Sequence, residues 1–168
     1  GHVGIGHTRW ATHGKPNEIN AHPHIDFSGQ IAVVQNGIIE NHRDLTKSLQ
    51  LKGIKFTSET DTEIIPHLIG LETEKALANG LSPNGQTLLL AVQKVLTLLE
   101  GTYAIAVIWS KAPNALVVAS GQAPLVLGFG EGEFFCASDS QALGGFTRTF
   151  LPLKDHEIAL LTPLGIEL

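Results

Sequence analysis

The residues best suited to chemistry lie in Gly6-His7-Thr8-Arg9-Trp10-Ala11-Thr12-His13-Gly14-Lys15-Pro16. Ahead of them Val3 and Ile5 alternate with small residues, a period-two run that predicts a strand, and Gly14-Lys15-Pro16 predicts the loop that ends it. Arg9, Trp10, Thr12 and His13 therefore stand where a strand gives way to a loop, a place where a rigid scaffold commonly presents binding groups. The planar fork of Arg9 suits two-point capture of a carboxylate. His22 and His24 are one residue apart, with His7 and His13 near in sequence, so a strand could turn two imidazoles toward a metal. No cysteine joins them and no carboxylate falls at a zinc-site spacing, so no metal is expected. Cys136 sits in Phe134-Phe135-Cys136-Ala137, apolar strand texture in which a free thiol packs as a small inert core residue. Gly128 to Gly132 lacks the Lys-Ser/Thr ending of a phosphate loop and predicts a hairpin turn.

The elements that position these residues follow from period and punctuation. Pro16 to Ser28 is polar and irregular. Ile31 to Gln35 is an apolar strand that Asn36-Gly37 interrupts, with Ile38-Ile39 resuming it; Asn-Gly commonly marks a tight turn. Asn41 is placed to cap a helix through Arg43, Leu45, Leu49 and Leu51 that Gly53 stops. Phe56 falls in a short strand. Thr60 with Glu63 three residues on predicts a capping box ahead of a helix carrying Ile64, Ile65, Leu68 and Leu71, and puts Asp61 in its first turn, where a carboxylate suits the helix dipole. Thr87 to Leu99 is the clearest amphipathic helix. From Gly101 the texture turns to short strands at Tyr103–Trp109, Ala115–Ala119, Leu125–Phe129, Phe134–Ala137, Glu157–Leu161 and Ile166–Leu168, with Ser138-Asp139-Ser140 capping a short helix. The fold class is α+β, with helices layered on mainly antiparallel sheets.

Composition narrows the partners. The chain has 168 residues, 43% of them apolar and 16% charged, enough for one domain with a sizeable core. A formal charge of -5 argues against nucleic acid, whose phosphates need a basic face. No apolar run reaches membrane-spanning length and no signal-type segment opens the chain, so no membrane partner is expected. One cysteine excludes an internal disulfide framework and fits a reducing cytoplasm. The absence of methionine predicts either a removed start or a piece of a longer protein.

Four stretches in order, HTRWATHG at 7–14, NAHPH at 20–24, NGIIEN at 36–41 and SETDTE at 58–63, resemble the class II glutamine amidotransferases, the N-terminal-nucleophile glutaminases. The resemblance runs from about Gly4 to Leu168. It implies a truncated αββα four-layer sandwich, with residues 1–168 forming part of a glutaminase domain and the sugar isomerase domains absent. In the sugar-phosphate branch that the motifs favour, L-glutamine is hydrolysed and the ammonia passes to fructose 6-phosphate, bound on those absent domains, giving glucosamine 6-phosphate. No cofactor is implied, and the full-length enzyme is expected to be a homo-oligomer. Asn36 and Gly37 match the oxyanion hole; Arg9 matches the group that holds the substrate α-carboxylate, and Asp61 the one that holds its α-ammonium. Thr12 and His13 match a loop that closes over glutamine, and Trp10 matches the mouth of the ammonia path. The family's nucleophile is an N-terminal cysteine, which this sequence, beginning at Gly1, does not contain, so the chain alone is expected to be inactive, marginally stable and prone to association.

Three positions depart from the family pattern. Gln35 stands where many members have histidine, Ala119-Ser120-Gly121 replaces a segment that usually carries arginine, and Gly144-Gly145 replaces larger residues. The last two raise an expectation of poorer packing. Two other readings stay open on sequence: a catalytically dead glutamine-binding or interaction module, and the glutaminase of another class II amidotransferase, which the Trp10 form of the first motif disfavours.

Overall fold

In a computed structural model that describes residues 2–9 and 13–168, the α-helices fall between residues 42 and 96, with strands before and after them. Strand β1 (His24–Ile25) leads to β2 (Ile31–Ile39), then helix α1 (His42–Leu51), a 3-10 turn (Asp61–Glu63), α2 (Ile64–Ala78) and α3 (Gly85–Leu96). There follow β3 (Gly101–Trp109), β4 (Leu116–Gly121), β5 (Val126–Gly130), β6 (Glu133–Ala137), a 3-10 turn (Ser140–Leu143), β7 (Thr149–Pro152), β8 (Ile158–Thr162) and β9 (Gly165–Glu167). The strands form a six-stranded sheet in the order β1-β2-β3-β4-β8-β9 and a three-stranded sheet in the order β6-β5-β7. Every paired strand is antiparallel.

Strand β3 shows how one apolar run builds two cores. Tyr103, Ile105, Val107 and Trp109 point toward the helices, where Ile64, Ile65, Ile69, Leu88, Val92 and Val95 bury against them. Ala104 and Ala106 point the other way, into a second core with Val34, Val118, Leu127 and Leu161 between the two sheets. Burial on both faces is why these strands read as continuous apolar runs rather than as polar–apolar alternation. The layers are helices, large sheet and small sheet, with Leu143 of the second 3-10 turn lying over Gly128 on the outer face of the small sheet. This is the expected α+β sandwich. The expected hairpin forms, but only Glu131-Gly132 makes its turn; Gly128–Gly130 belongs to strand β5, paired with β6.

Several local expectations are corrected. Val3 and Ile5 keep the alternating exposure of an extended chain and pack on the second core, but no strand forms there. Period two needs only an extended backbone, whereas a strand needs a ladder partner. Phe56 packs on the helix-side core from an irregular segment, because the Thr57 N–H is given to the Glu63 carboxylate. Asn36-Gly37 makes no turn: β2 runs unbroken and pairs with β3 from Ile31 to Ile39. Within the irregular 16–28 region, β1 forms because Asp26 Oδ1 accepts the N–H groups of Gln30 and Ile31 at 2.9 and 3.0 Å and closes its turn onto β2. Strand β7 carries an exposed, unpatterned sequence and gave no signal. Helix α3 starts two residues earlier than expected, with Asn84 capping Thr87 N–H at 3.0 Å, and ends at Leu96. Asn41 stands at the N-cap of α1, but its side chain bonds Leu98 O and Glu100 N–H instead.

Of the two departures expected to loosen packing, the Ala119-Ser120-Gly121 segment is well packed. Ala119 is fully buried, the Ser120 hydroxyl donates to Ala123 O at 2.6 Å, and Gly121 lies against the Tyr103 ring, where a Cβ would come within 2.4 Å. Gly144 ends the 3-10 turn through its N–H to Gln141 O. Since Ile69 is fully buried at the helix–sheet contact, Ile69→Ala should lower unfolding free energy by about 2–5 kcal/mol in urea denaturation followed by tryptophan fluorescence. A loss below the cost of an exposed substitution would show that this helix–sheet core is not the main one.

Candidate functional site

The site is assembled from three elements that meet at one end of the large sheet. Strand β2 brings Asn36 and Gly37. Gly37 has φ +141°, and a Cβ there would lie 2.2 Å from the Thr102 carbonyl oxygen, so the strand can follow this path only with glycine. Beneath them Gln35 is 3% exposed. Its Oε1 accepts the Thr62 hydroxyl at 2.7 Å, its Nε2 donates to Thr102 O at 3.4 Å, and its backbone N–H donates to His22 Nδ1 at 3.3 Å. The residue that departs from the family pattern thus bonds to the strand on one side and the 3-10 turn on the other.

Asp61 opens that turn. It is 3% exposed, and its Oδ2 accepts the Ile39 N–H at 2.8 Å, which ties the α2 entrance to the end of β2. Glu63 anchors the same turn from below. Its carboxylate accepts the N–H of Thr57 at 3.0 Å and of Ser58 at 2.6 Å, and His67 Nε2 lies 3.1 Å away. His67 Nδ1 accepts the Phe27 N–H at 3.0 Å, so the ring proton sits on Nε2 and points at the carboxylate. Burial opposes ionisation of Glu63, but the hydrogen bonds from His67, Ser58 and Thr57 outweigh it and hold its pKa down to about 2. The expected capping box is therefore absent: neither side chain caps the turn, and Thr60 Oγ1 meets His24 Nε2 at 2.6 Å instead.

The third element is the N-terminal segment. Arg9 has φ +33°, and its N–H donates to His7 Nδ1 at 2.9 Å. Its guanidinium donates to the carbonyls of Lys15 at 3.2 Å, Gly14 at 3.4 Å, and His13. The His13 ring stands edge-on to His42 with centroids 5.0 Å apart. Its Nδ1 is buried with no hydrogen-bond partner among the described residues and lies 3.9 Å from Asp61 Oδ1. Arg9, His13, Asn36, Gly37 and Asp61 all line one cleft, together with His7, His22, Gln35, Thr60 and Thr62. Trp10 and Thr12 lie outside the described residues. The space left open is about 30 Å³, room for a water or two.

The histidines of the cleft pack on one another. His7 and His22 lie nearly parallel with centroids 4.3 Å apart, and His24 is 5.0 Å from His22. Burial, then the neighbouring His7, His24 and Arg9, push His22 down to about 3; burial first also lowers His7 and His24. Among the described residues no group of three or more His, Cys, Asp or Glu is arranged to hold a metal. Cys136 lines an adjoining cavity of about 150 Å³ between the sheets with Asn36, Ala104 and Ala106, and burial pushes its thiol up to about 11. That protonated thiol is a poor nucleophile. Sequence reasoning missed Thr60 and Thr62, although both stand in the SETDTE stretch, and missed Glu63 as anything but a cap.

The family model described as "Glutamine amidotransferase domain" matches residues 7–145. A glutamine–fructose-6-phosphate aminotransferase (isomerizing) of Thermosynechococcus vestitus is 59% identical over 167 residues, which is 99% of this chain and 26% of the relative. One from Symbiobacterium thermophilum is 48% identical over 166 residues, again 26% of its length. The chain thus spans about a quarter of the length of the curated relatives it matches. Among solved structures, the glutamine phosphoribosylpyrophosphate amidotransferase of B. subtilis with ADP and GMP superposes with a TM-score of 0.73 at 25% identity, covering 96% of this chain and 33% of that one. A structure described as the allosteric regulatory enzyme of purine biosynthesis gives 0.76 at 25% identity, with the same coverages.

The buried groups set an acid limit. His22 titrates at about 3 when folded and near 6.5 when free, so the folded state is favoured fully above 6.5 and loses that advantage as pH falls toward 3. Glu63, at about 2 folded against 4.5 free, adds a loss between 4.5 and 2. Urea midpoints should therefore decline from pH 7.5 to 5, and His22→Asn should flatten that decline. An unchanged slope in the variant would show that the stack does not carry the effect.

Proposed function

Since the chain belongs to the glutamine amidotransferase domain family, we propose that its cleft binds L-glutamine through its α-carboxylate on Arg9 and its α-ammonium on Asp61. The observation that carries this reading is one fixed cation and one buried carboxylate lining a single cleft with Asn36 and Gly37, which suits a zwitterion with an extended amide. The Asn36 side-chain amide and the Gly37 N–H are the donors for the oxyanion that forms when the substrate amide is attacked. His13, whose Nδ1 lacks a partner among the described residues, shifts to admit the ligand and hydrogen-bonds over it, with Thr12; Trp10 borders the path by which ammonia leaves.

The nucleophile is a cysteine thiol outside this sequence, with its own α-amine accepting the proton. Residues 1–168 then form part of a glutaminase domain that binds glutamine alone and hydrolyses it only with a Cys-first segment. The ammonia recipient is fructose 6-phosphate, bound on isomerase domains of a longer, homo-oligomeric enzyme. Relatives that carry this activity in their names and match at up to 59% identity support that acceptor over the purine precursor. We place the activity in the cytoplasm; among the described residues no helix is long and apolar enough to cross a membrane.

Calorimetry with L-glutamine and assay of released glutamate test the reading. Arg9→Ala and Asp61→Asn should each weaken binding by about 10- to 100-fold, the worth of a charge-assisted contact. In a chain extended by the Cys-first segment, Asn36→Ala should cost about 10²–10³ in kcat with little change in binding. No glutamine binding by the native chain would sink the proposal, and glutamate release by the chain alone that Cys136→Ala abolishes would reassign the nucleophile.

A further inference from the structure

In the NAHPH stretch, the Asn20 side chain neither lines the cleft nor belongs to a hydrophobic core, yet it is almost wholly buried. Asn20 is 1% exposed, and its amide is fully engaged. Oδ1 accepts the Glu59 N–H at 2.8 Å, and Nδ2 donates to Lys15 O at 3.0 Å and to Glu59 Oε2 at 3.2 Å. Lys15 O also takes the Arg9 guanidinium, and Glu59 stands two residues before Asp61. Gly14 lies flat on the same amide: at φ +77°, a Cβ there would meet Asn20 Nδ2 at 2.7 Å and Glu59 Cβ at 3.1 Å.

We propose that Asn20 is a positioning residue that sets the separation of the cationic and anionic poles of the cleft, and so selects ligands carrying both charges of a free α-amino acid. The inference rests on the glutamine-binding reading above. The cationic pole, Arg9, is held by the carbonyls of residues 13–15 and the anionic pole, Asp61, lies in residues 58–62; every described side-chain hydrogen bond between residues 13–20 and 58–62 runs through Asn20. The ammonium and carboxylate of an amino acid share one carbon, so their spacing is fixed. A change in pole separation therefore penalises a ligand that must reach both, while a ligand with one charge follows the pole it uses. A residue that only stabilised the fold would weaken both ligands alike.

The test compares L-glutamine with 4-carbamoylbutanoate, which lacks the α-ammonium group, by calorimetry on folded native chain and variants, with hydrogen exchange followed at residues 13–17 and 57–61. Asn20→Ala should weaken L-glutamine by about tenfold or more and 4-carbamoylbutanoate by less than about threefold, since a buried amide network is lost but each pole survives. Both loops should exchange faster together, while β2 and β3 keep their protection. Asn20→Asp, which sets a carboxylate against that of Glu59, should bind worst, and adding Glu59→Gln should recover part of the loss by restoring a donor. Equal weakening of both ligands, or faster exchange in one loop alone, overturns the proposal. If the native chain binds no glutamine, the functional reading fails; the exchange result then decides the clamp, joint loss in both loops supporting it and independent loss refuting it.

Discussion

The arrangement depends on β2 and β3 pairing without interruption through a glycine. The ladder runs from Ile31–Trp109 to Ile39–Gly101, and at Gly37 the Thr102 carbonyl occupies the space a side chain would need. A residue with a Cβ would force the strands apart at the point where Asn36 enters the cleft. It would also move Ile39, whose N–H holds the Asp61 carboxylate. One close backbone approach thus fixes both the cleft floor and the helix entrance beside it. The size difference across β3 works in the same direction. Large side chains on the helix face lock α2 and α3 onto the sheet, and alanines on the other face let the second sheet come near.

Around that frame, the charged and polar groups are arranged in two depths. Asp61, at the cleft, is supported from beneath by Glu63 and His67, which are buried, mutually hydrogen-bonded and tied to the backbone at Phe27, Thr57 and Ser58. Ionised Glu63 tolerates burial because several donors face it, whereas an unpartnered carboxylate there would take up a proton. The histidine stack opposes charge for the complementary reason: burial and neighbouring cationic groups leave no favourable place for an imidazolium. Charge on the His7, His22 and His24 rings is thus disfavoured beside the Arg9 guanidinium.

Glutamine–fructose-6-phosphate aminotransferase relatives and purine-pathway amidotransferase structures resemble the same 168 residues at very different identities, 59% and 25%. What the more distant structures share is the sandwich, which is set by burial pattern and tolerates much substitution.

The fold class, the helices, most of the long strands and the cluster of motifs are legible in the residues, because apolar period and capping residues are local signals and the motif set is specific. Those motifs include Arg9, His13, Asn36, Gly37 and Asp61, which the fold brings to one cleft. Where local rules and long-range pairing conflicted, pairing decided. Asn36-Gly37 carries the signature of a turn, but a partner strand along its full length kept it extended. Val3 and Ile5 have the period of a strand, yet no ladder forms among the described residues. Thr60 and Glu63 have the spacing of a capping box, but His24, Thr57, Ser58 and His67 offered closer partners. The role of Asn20 was equally hidden, since its partners Lys15 and Glu59 are joined only when two segments 39 residues apart meet. Hydrogen-bond partners distant in sequence are chosen by the tertiary structure, because a buried polar group bonds whatever the fold brings within reach.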